Sequence, residues 1–225
     1  MKKITILLAE DHAVVREGLY NMLKLEADLQ VVGEATDGRQ AVALAKKLQP
    51  DVVLMDIAMP HLNGLEATRQ ILKALPASKV LILSAHNDDA YVDTAIASGA
   101  VGFLLKQASS HDVCQTIREV QQGKTVFSAA ISRRLNRLQP QSLGRTGHPQ
   151  KKVSQLTSRE MEVLQLIAEG KANKETAAEL GVGLKTVEKH REHLMQKLDI
   201  HDTAGLTRYA ISAGIIESSV QLTIL

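Results

Sequence analysis

Two hydrophobic periodicities alternate along the first 121 residues. Short, β-branched apolar runs occupy residues 4–9, 29–34, 52–55, 80–83 and 101–105. Continuous runs of this kind predict parallel strands covered on both faces. Between them lie amphipathic stretches at about 13–25, 38–48, 63–74, 88–98 and 109–121. In the last, Val113, Ile117 and Val120 recur at helical spacing. Five strands alternating with five helices predict an α/β fold, a doubly wound five-stranded parallel sheet.

The strand pattern stops after residue 121. Residues 127–138 (FSAAISRRLNRL) predict a basic helix, and residues 139–152 (QPQSLGRTGHPQKK) have linker composition, with two prolines, two glycines and no apolar periodicity. The predicted organisation is a first domain over 1–122, a linker over 123–153 and a small all-α domain over 154–225. In the last, Thr157-Ser158-Arg159-Glu160 forms a capping box that opens a helix closing at Gly170. Further helices are predicted at about 173–180, ending at Gly181, then 184–198 and 202–213. Two short helices joined through a glycine turn predict a helix-turn-helix.

Composition narrows the function classes. The 225 residues are 44% hydrophobic and 23% charged, ordinary for a soluble globular protein. Aromatics are 2% with no tryptophan, so the core is aliphatic and a base-stacking platform for single strands is not expected. Cys114 is the only cysteine, which rules out an internal disulfide and fits a reducing compartment. Its place on the fifth amphipathic stretch reads as packing. The opening MKKITILLAED has two lysines and an apolar run, but the run stops at Glu10-Asp11 without a cleavage-type spacer. No apolar stretch approaches the roughly 20 residues of a spanning helix. The expectation is a cytoplasmic protein with no membrane segment. Residues 1–122 carry 12 Lys+Arg and 15 Asp+Glu, net −3, whereas residues 123–225 carry 15 and 10, net +5. The basic back half suits nucleic acid.

The candidate chemistry of the front half gathers at strand ends. Glu10-Asp11 follow the first strand, Asp56 the third, Ser84 the fourth and Lys106 the fifth. Open α/β sheets bind ligands at these carboxyl ends. Clustered carboxylates repel one another, and a hard divalent cation such as Mg²⁺ relieves that repulsion. A lysine and a hydroxyl suit phosphoryl oxygens. The implied chemistry is attack by a carboxylate on phosphorus to give an aspartyl phosphate.

The residues Ala9-Glu10-Asp11-His12, Asp56-Ile57-Ala58-Met59-Pro60 with Asn63-Gly64, Ser84-Ala85 and Phe103-Leu104-Leu105-Lys106 together resemble a response-regulator receiver domain over about 3–121. The resemblance implies that Asp56 is the phosphoacceptor, phosphorylated by a sensor histidine kinase. It implies Mg²⁺ bound by Glu10, Asp11, Asp56 and the backbone carbonyl of Ala58. Ser84, Phe103 and Lys106 would form the switch, Ser84 and Lys106 on the phosphoryl group and Phe103 turning inward. Ala58 and His86, each two residues beyond a pocket residue, would flank the path of a hydrolysing water and so set phosphoryl lifetime. Glu-Asp replaces the commoner Asp-Asp pair, and the longer Glu10 could act through water. Gln107 replaces a frequent proline, so a cis bond there would be costly.

In the back half, about 100° per residue places Val187, Leu194 and Leu198 on one edge of the helix over 184–198. Lys185, Lys189, Glu192 and Gln196 fall on the opposite, polar face, with His190 and Arg191 at the margins. That face suits a major groove, where Glu192 must read a donor or pair with a neighbour such as Lys189. Leu156-Thr157-Ser158-Arg159-Glu160, Val163-Leu164, Gly170, Asn173-Lys174-Glu175, Ala177, Leu180, Lys185-Thr186-Val187, His190 and Leu198 resemble the LuxR-type DNA-binding domain over about 156–216. Joined to the receiver, the whole is similar to the NarL/FixJ two-component regulators. The resemblance implies contact with double-stranded promoter DNA through the third helix, with Lys185, Thr186, Glu188, Lys189, Glu192 and Gln196 as candidates. It implies a homodimer on activation, with contact through the fourth helix, where Leu206, Tyr209, Ala210 and Ala213 form a stripe. Gly183 stands at a common Ser cap and Glu188 at a common Lys.

Three rivals remain at this level. An aspartyl-nucleophile phosphatase of the haloacid-dehalogenase kind usually has a second Asp two residues on, where this chain has Ala58. A flavin module needs a Gly/Ser/Thr-rich phosphate loop after the first strand, which is missing. A phosphorylation-independent DNA binder has no use for the complete pocket. The expectation is a phosphorylation-switched transcription regulator that acts as an enzyme only on its own aspartate.

Overall fold

The structure, a computed structural model, describes residues 2–85, 89–127 and 156–216. The chain divides into two compact units, Met1–Arg145 and Thr146–Leu225. The helix expected over 127–138 and most of the expected linker lie outside the described residues.

The first unit runs β1 (Ile4–Ala9), α1 (Ala13–Lys24), β2 (Leu29–Ala35), α2 (Gly38–Leu48), β3 (Val52–Asp56), α3 (Gly64–Ala74), β4 (Lys79–Ser84), α4 (Asp89–Ala97), β5 (Gly102–Leu105) and α5 (Ser110–Gln121). The five strands form one parallel sheet in the order β2-β1-β3-β4-β5. Strand residues alternate between two cores. Leu7, Val53, Met55, Ile82 and Phe103 pack on one face with Val42, Ile71 and Ala95 from α2, α3 and α4. Ile6, Leu8, Leu54, Leu81 and Leu83 pack on the other with Leu23 of α1 and Val113, Cys114, Ile117 and Val120 of α5. The period-2 alternation of a pleated strand thus separates the helices into two layers. Side chains of Asp37, Asn63 and Ser109 cap α2, α3 and α5 by accepting from Gln40, Glu66 and Asp112 N–H.

The second unit holds α6 (Ser158–Ala168), α7 (Asn173–Leu180), α8 (Leu184–Leu198) and α9 (Thr203–Ser212). Thr157 and Glu160 form the expected capping box of α6. Gly181 ends α7 at φ 62, a left-handed conformation that favours glycine, and so turns the chain into α8. Val163, Leu164, Leu166, Val187, Leu194, Leu198 and Leu206 share one core.

The stripe expected to mediate dimer contact is part of that core. Leu206, Tyr209 and Ala210 of α9 are buried, and Ala213 packs against the same cluster. The helix turns its apolar stripe onto its own domain, where it packs with Val163, Leu164 and Leu194 in one cluster. The outward residues of α9 include Ala204, Arg208 and Ile211. No helix among the described residues is long and apolar enough to cross a membrane.

Candidate functional site: a carboxylate pocket and an exposed helix

In the sheet order, β1 has β2 on one side and β3 on the other, and the chain reverses its winding there. Crossovers leave β1 and β3 toward opposite faces, so a crevice opens between their carboxyl ends. Glu10 and Asp11 enter it from β1 and Asp56 from β3. Lys106, one residue beyond β5, reaches the same point: its Nζ lies 2.9 Å from Glu10 Oε2, 3.0 Å from Glu10 Oε1 and 3.0 Å from Asp56 Oδ2. The backbone N–H of Lys106 donates to the Ser84 carbonyl at 2.8 Å, which registers β5 against β4 beside the pocket. Ser84 is buried at the end of β4, and Phe103 is buried within the core on the α2–α4 side. Ala58 sits half-buried in the loop after β3. All the predicted pocket residues therefore stand at the sheet's carboxyl edge, except that Phe103 lies one pleat inward. No cis peptide bond occurs among the described residues, Lys106–Gln107 included.

Asp56 is fixed by its neighbours. The backbone N–H of Ile57 donates to Asp56 Oδ1 at 2.8 Å, leaving Oδ2 toward Lys106. The loop then doubles back, with Gly64 N–H donating to the Ile57 carbonyl at 2.8 Å. A Cβ on Gly64 would lie 1.8 Å from the Asp56 carbonyl oxygen, so only glycine permits α3 to begin there. Burial, and then the Glu10 charge, push the Asp56 carboxyl up to about 6 against the opposing pull of Lys106. Burial works against the charge on Lys106, but Asp56 and Glu10 outweigh it and raise the ammonium above its ordinary value.

Two further residues join the site that the strand-end pattern does not single out. His12 Nδ1 lies 2.9 Å from Asp11 Oδ1 and 3.1 Å from Glu10 Oε1. The Asp11 charge raises the imidazole above its ordinary value, with burial opposing and a hydrogen bond to Glu10 assisting. Arg16, one turn into α1, donates through a guanidinium nitrogen to the carbonyls of Glu10 at 2.8 Å and Asp11 at 3.3 Å. Its Nε lies 3.5 Å from Glu34 Oε2. For His12 the signal in the sequence is its place beside the acidic pair. For Arg16 there is only its spacing from that pair.

The donor set fits a divalent cation. Donor atoms of Glu10, Asp11, His12 and Asp56 lie within 4.8 Å of one another. Glu10 Oε2, Asp11 Oδ1 and Asp56 Oδ2 are buried and accept no directed hydrogen bond; their contacts to Lys106 and His12 are charge contacts without hydrogen-bond geometry. Oxygens of this kind suit a hard ion such as Mg²⁺. His86, expected to influence phosphoryl lifetime, lies outside the described residues.

In the second unit, α8 buries Val187, Leu194 and Leu198 and exposes Lys185, Thr186, Glu188, Lys189, Glu192 and Gln196. Glu192 Oε1 accepts from Gln196 Nε2 at 3.4 Å, so a neighbour on the same helix face engages it. Arg191 sets the orientation of α8. Its guanidinium donates to Asn173 Oδ1 at 3.1 Å and to Thr203 Oγ1 at 2.6 Å, tying α8 to the starts of α7 and α9. Gly183 caps α8 without a side-chain bond.

Comparison with known proteins follows the same division. Residues 6–118 match the response regulator receiver domain, and residues 154–210 match the bacterial regulatory proteins of the luxR family. The transcriptional regulatory protein LiaR of Bacillus subtilis is 38% identical over 208 residues, covering 92% of this chain and 96% of LiaR. A LuxR-family two-component response regulator from Aurantimonas is 31% identical with a TM-score of 0.56, covering 61% of this chain and all of that one. The response regulator RcsB, in a structure of its DNA complex, is 26% identical with a TM-score of 0.55, covering 94% of this chain and 99% of RcsB.

Proposed function

The chain belongs to the LuxR-family two-component response regulators, joining a receiver domain to a DNA-binding helix-turn-helix, and from that premise we propose that phosphoryl transfer to Asp56 governs its hold on promoter DNA. The observation that carries this reading is the Lys106 ammonium 3.0 Å from Asp56 Oδ2, in a crevice that also holds Glu10 and Asp11. The proposed division is a receiver over 1–122, a linker over 123–153 and a DNA-binding domain over 154–225.

Asp56 Oδ2 attacks the phosphorus of a phosphohistidine on a sensor kinase. The O–P bond forms as the P–N bond breaks, and the electron pair returns to the kinase imidazole. Ile57 N–H holds Oδ1 and so orients the attacking oxygen. Lys106 moves from the carboxylates to a phosphoryl oxygen and stabilises its charge. Mg²⁺, held by Glu10, Asp11, Asp56 and the Ala58 carbonyl, supplies neutralisation of the phosphoryl oxygens when bound. The Ser84 hydroxyl donates to another of them, and Phe103 repacks with that movement. Water attack on phosphorus breaks the P–O bond to Asp56, releases inorganic phosphate and restores the carboxylate.

The output is DNA binding through the exposed face of α8. One recognition helix reads a short half-site, so pairing two copies gains affinity and sets half-site spacing near one helical turn, about 34 Å. The receiver-driven dimer, the cytoplasmic setting and the sensor kinase follow from the family reading. Incubation with acetyl phosphate and Mg²⁺ tests the proposal. Intact mass should show one phosphoryl group, lost in Asp56→Asn, and the phosphorylated form should bind promoter fragments recovered by genome-wide mapping more tightly. Equal uptake by Asp56→Asn would refute the assignment.

A further inference from the structure

Among the described residues, the metal-donor set of the acidic crevice includes a nitrogen, from His12. His12 Nδ1 lies 2.9 Å from Asp11 Oδ1 and 3.1 Å from Glu10 Oε1, and His12 belongs to the set of donors within 4.8 Å of one another. Around an octahedral ion with bonds of about 2.1 Å, adjacent ligands stand about 3.0 Å apart. Both separations match such an edge. The imidazole is not engaged in capping: His12 is the N-cap of α1, yet its side chain makes no capping bond. The side chain is 61% exposed, so the outer face of the crevice is open for waters to complete a coordination sphere. The competing arrangement is an Nδ1–H that donates to Glu10 Oε1, with Asp11 as a charge contact. It differs in the proton on nitrogen, and a cation shared by these three residues would displace that proton.

We infer that His12 supplies a nitrogen ligand to the ion held by Glu10, Asp11 and Asp56. Imidazole nitrogen is accepted by first-row transition ions, whereas Mg²⁺ strongly prefers oxygen. The crevice therefore favours ions such as Mn²⁺ over Mg²⁺ more than three carboxylates alone would. This inference rests on the reading of the crevice as a metal site.

The test uses the full chain with Mn²⁺ alone as probe. Pulsed electron paramagnetic resonance of Mn²⁺ on the parent protein should show nitrogen-14 modulation, and His12→Ala should abolish it. Mn²⁺ affinity, read from the free-ion signal, should fall about tenfold or more in His12→Ala. Mg²⁺ affinity, read by competition against Mn²⁺, should fall much less. Asp11→Ala should lose both ions. Mn²⁺ bound to the parent in an Asp11-dependent way but without nitrogen modulation overturns the inference and leaves the metal reading standing. Modulation that persists in His12→Ala, or equal losses for both ions, also overturns it. Mn²⁺ that fails to bind the parent overturns the metal reading together with the inference.

Discussion

Lys106 Nζ and Asp56 Oδ2 stand 3.0 Å apart, reaching across β4 from the ends of β5 and β3. The same ammonium offsets Glu10, so one cation serves two buried carboxylates. Lys106→Ala should leave both without that partner and destabilise the receiver by about 3 kcal/mol, the order expected for breaking a buried pair. Mg²⁺ should restore much of the loss in thermal unfolding. The variant should still take phosphoryl from acetyl phosphate, yet its DNA affinity should no longer rise on phosphorylation. Activation equal to the parent's would remove Lys106 from the switch.

Asp56→Asn removes a buried charge that Glu10 repels, so it should take no phosphoryl group while unfolding at a temperature no lower than the parent's in the absence of Mg²⁺. Intact mass and calorimetry on one sample check both parts. A large loss of stability would show that the Lys106 pairing outweighs burial.

The strand ends were legible because the apolar runs stop at charged or hydroxyl residues, and parallel order brings those ends to one edge. The placement of Glu10, Asp11, Asp56, Ser84 and Lys106 at that edge needed nothing further, whereas their roles rest on the receiver resemblance. The roles of His12 and Arg16 depend on how the β1–α1 loop folds back, which residue spacing does not determine. The α9 stripe of Leu206, Tyr209, Ala210 and Ala213 misled for a different reason: an i, i+3, i+4, i+7 pattern is the same whether a helix covers its own core or a partner.

Because that stripe is core, Leu206→Ala should destabilise the second unit by about 2–5 kcal/mol, as for other large-to-small core changes. Any loss of dimerisation should then track unfolding in calorimetry. Arg208→Glu, on the outward face of α9, should leave the unfolding temperature nearly unchanged. If Arg208→Glu weakens the phosphorylated dimer in sedimentation, α9 contributes through that outward face; full dimerisation would place the contact elsewhere.

Glu160 couples the second unit to pH. Burial raises its carboxyl, but hydrogen bonds from Lys197, at 2.6 Å, and from Thr157 more than compensate, so its folded value lies below the ordinary one. A depressed folded value means the unfolded chain binds the proton more tightly. The stabilisation is therefore complete above the unfolded carboxylate's pKa, about 4.3, and is lost as pH falls through the folded value. Glu160→Gln should unfold at lower temperature at pH 7, and its difference from the parent should shrink toward pH values of about 3. A constant difference across that range would show that the side chain acts through shape alone.

On DNA, Lys189 and Glu192 should diverge. Lys189→Ala should weaken binding by about 1–3 kcal/mol with relaxed preference at one position if it reads a base. If it meets only phosphate, the loss should be uniform and the salt slope shallower by about one. Glu192→Ala should raise affinity for scrambled sites while lowering the specificity ratio, since Glu repels phosphate but accepts from cytosine N4. An unchanged ratio would reduce Glu192 to a solvent contact held by Gln196.

Lys106 closes on Glu10 across 96 positions of sequence. The pocket thus has no local fragment, and a growing polypeptide that has not yet delivered β5 carries its acidic residues without their cation. Closure of so long a loop is entropically slow and comes late in the assembly of a parallel sheet. The switch that Lys106 completes is therefore acquired near the end of receiver folding, after the acidic residues that precede it in the chain are already in place.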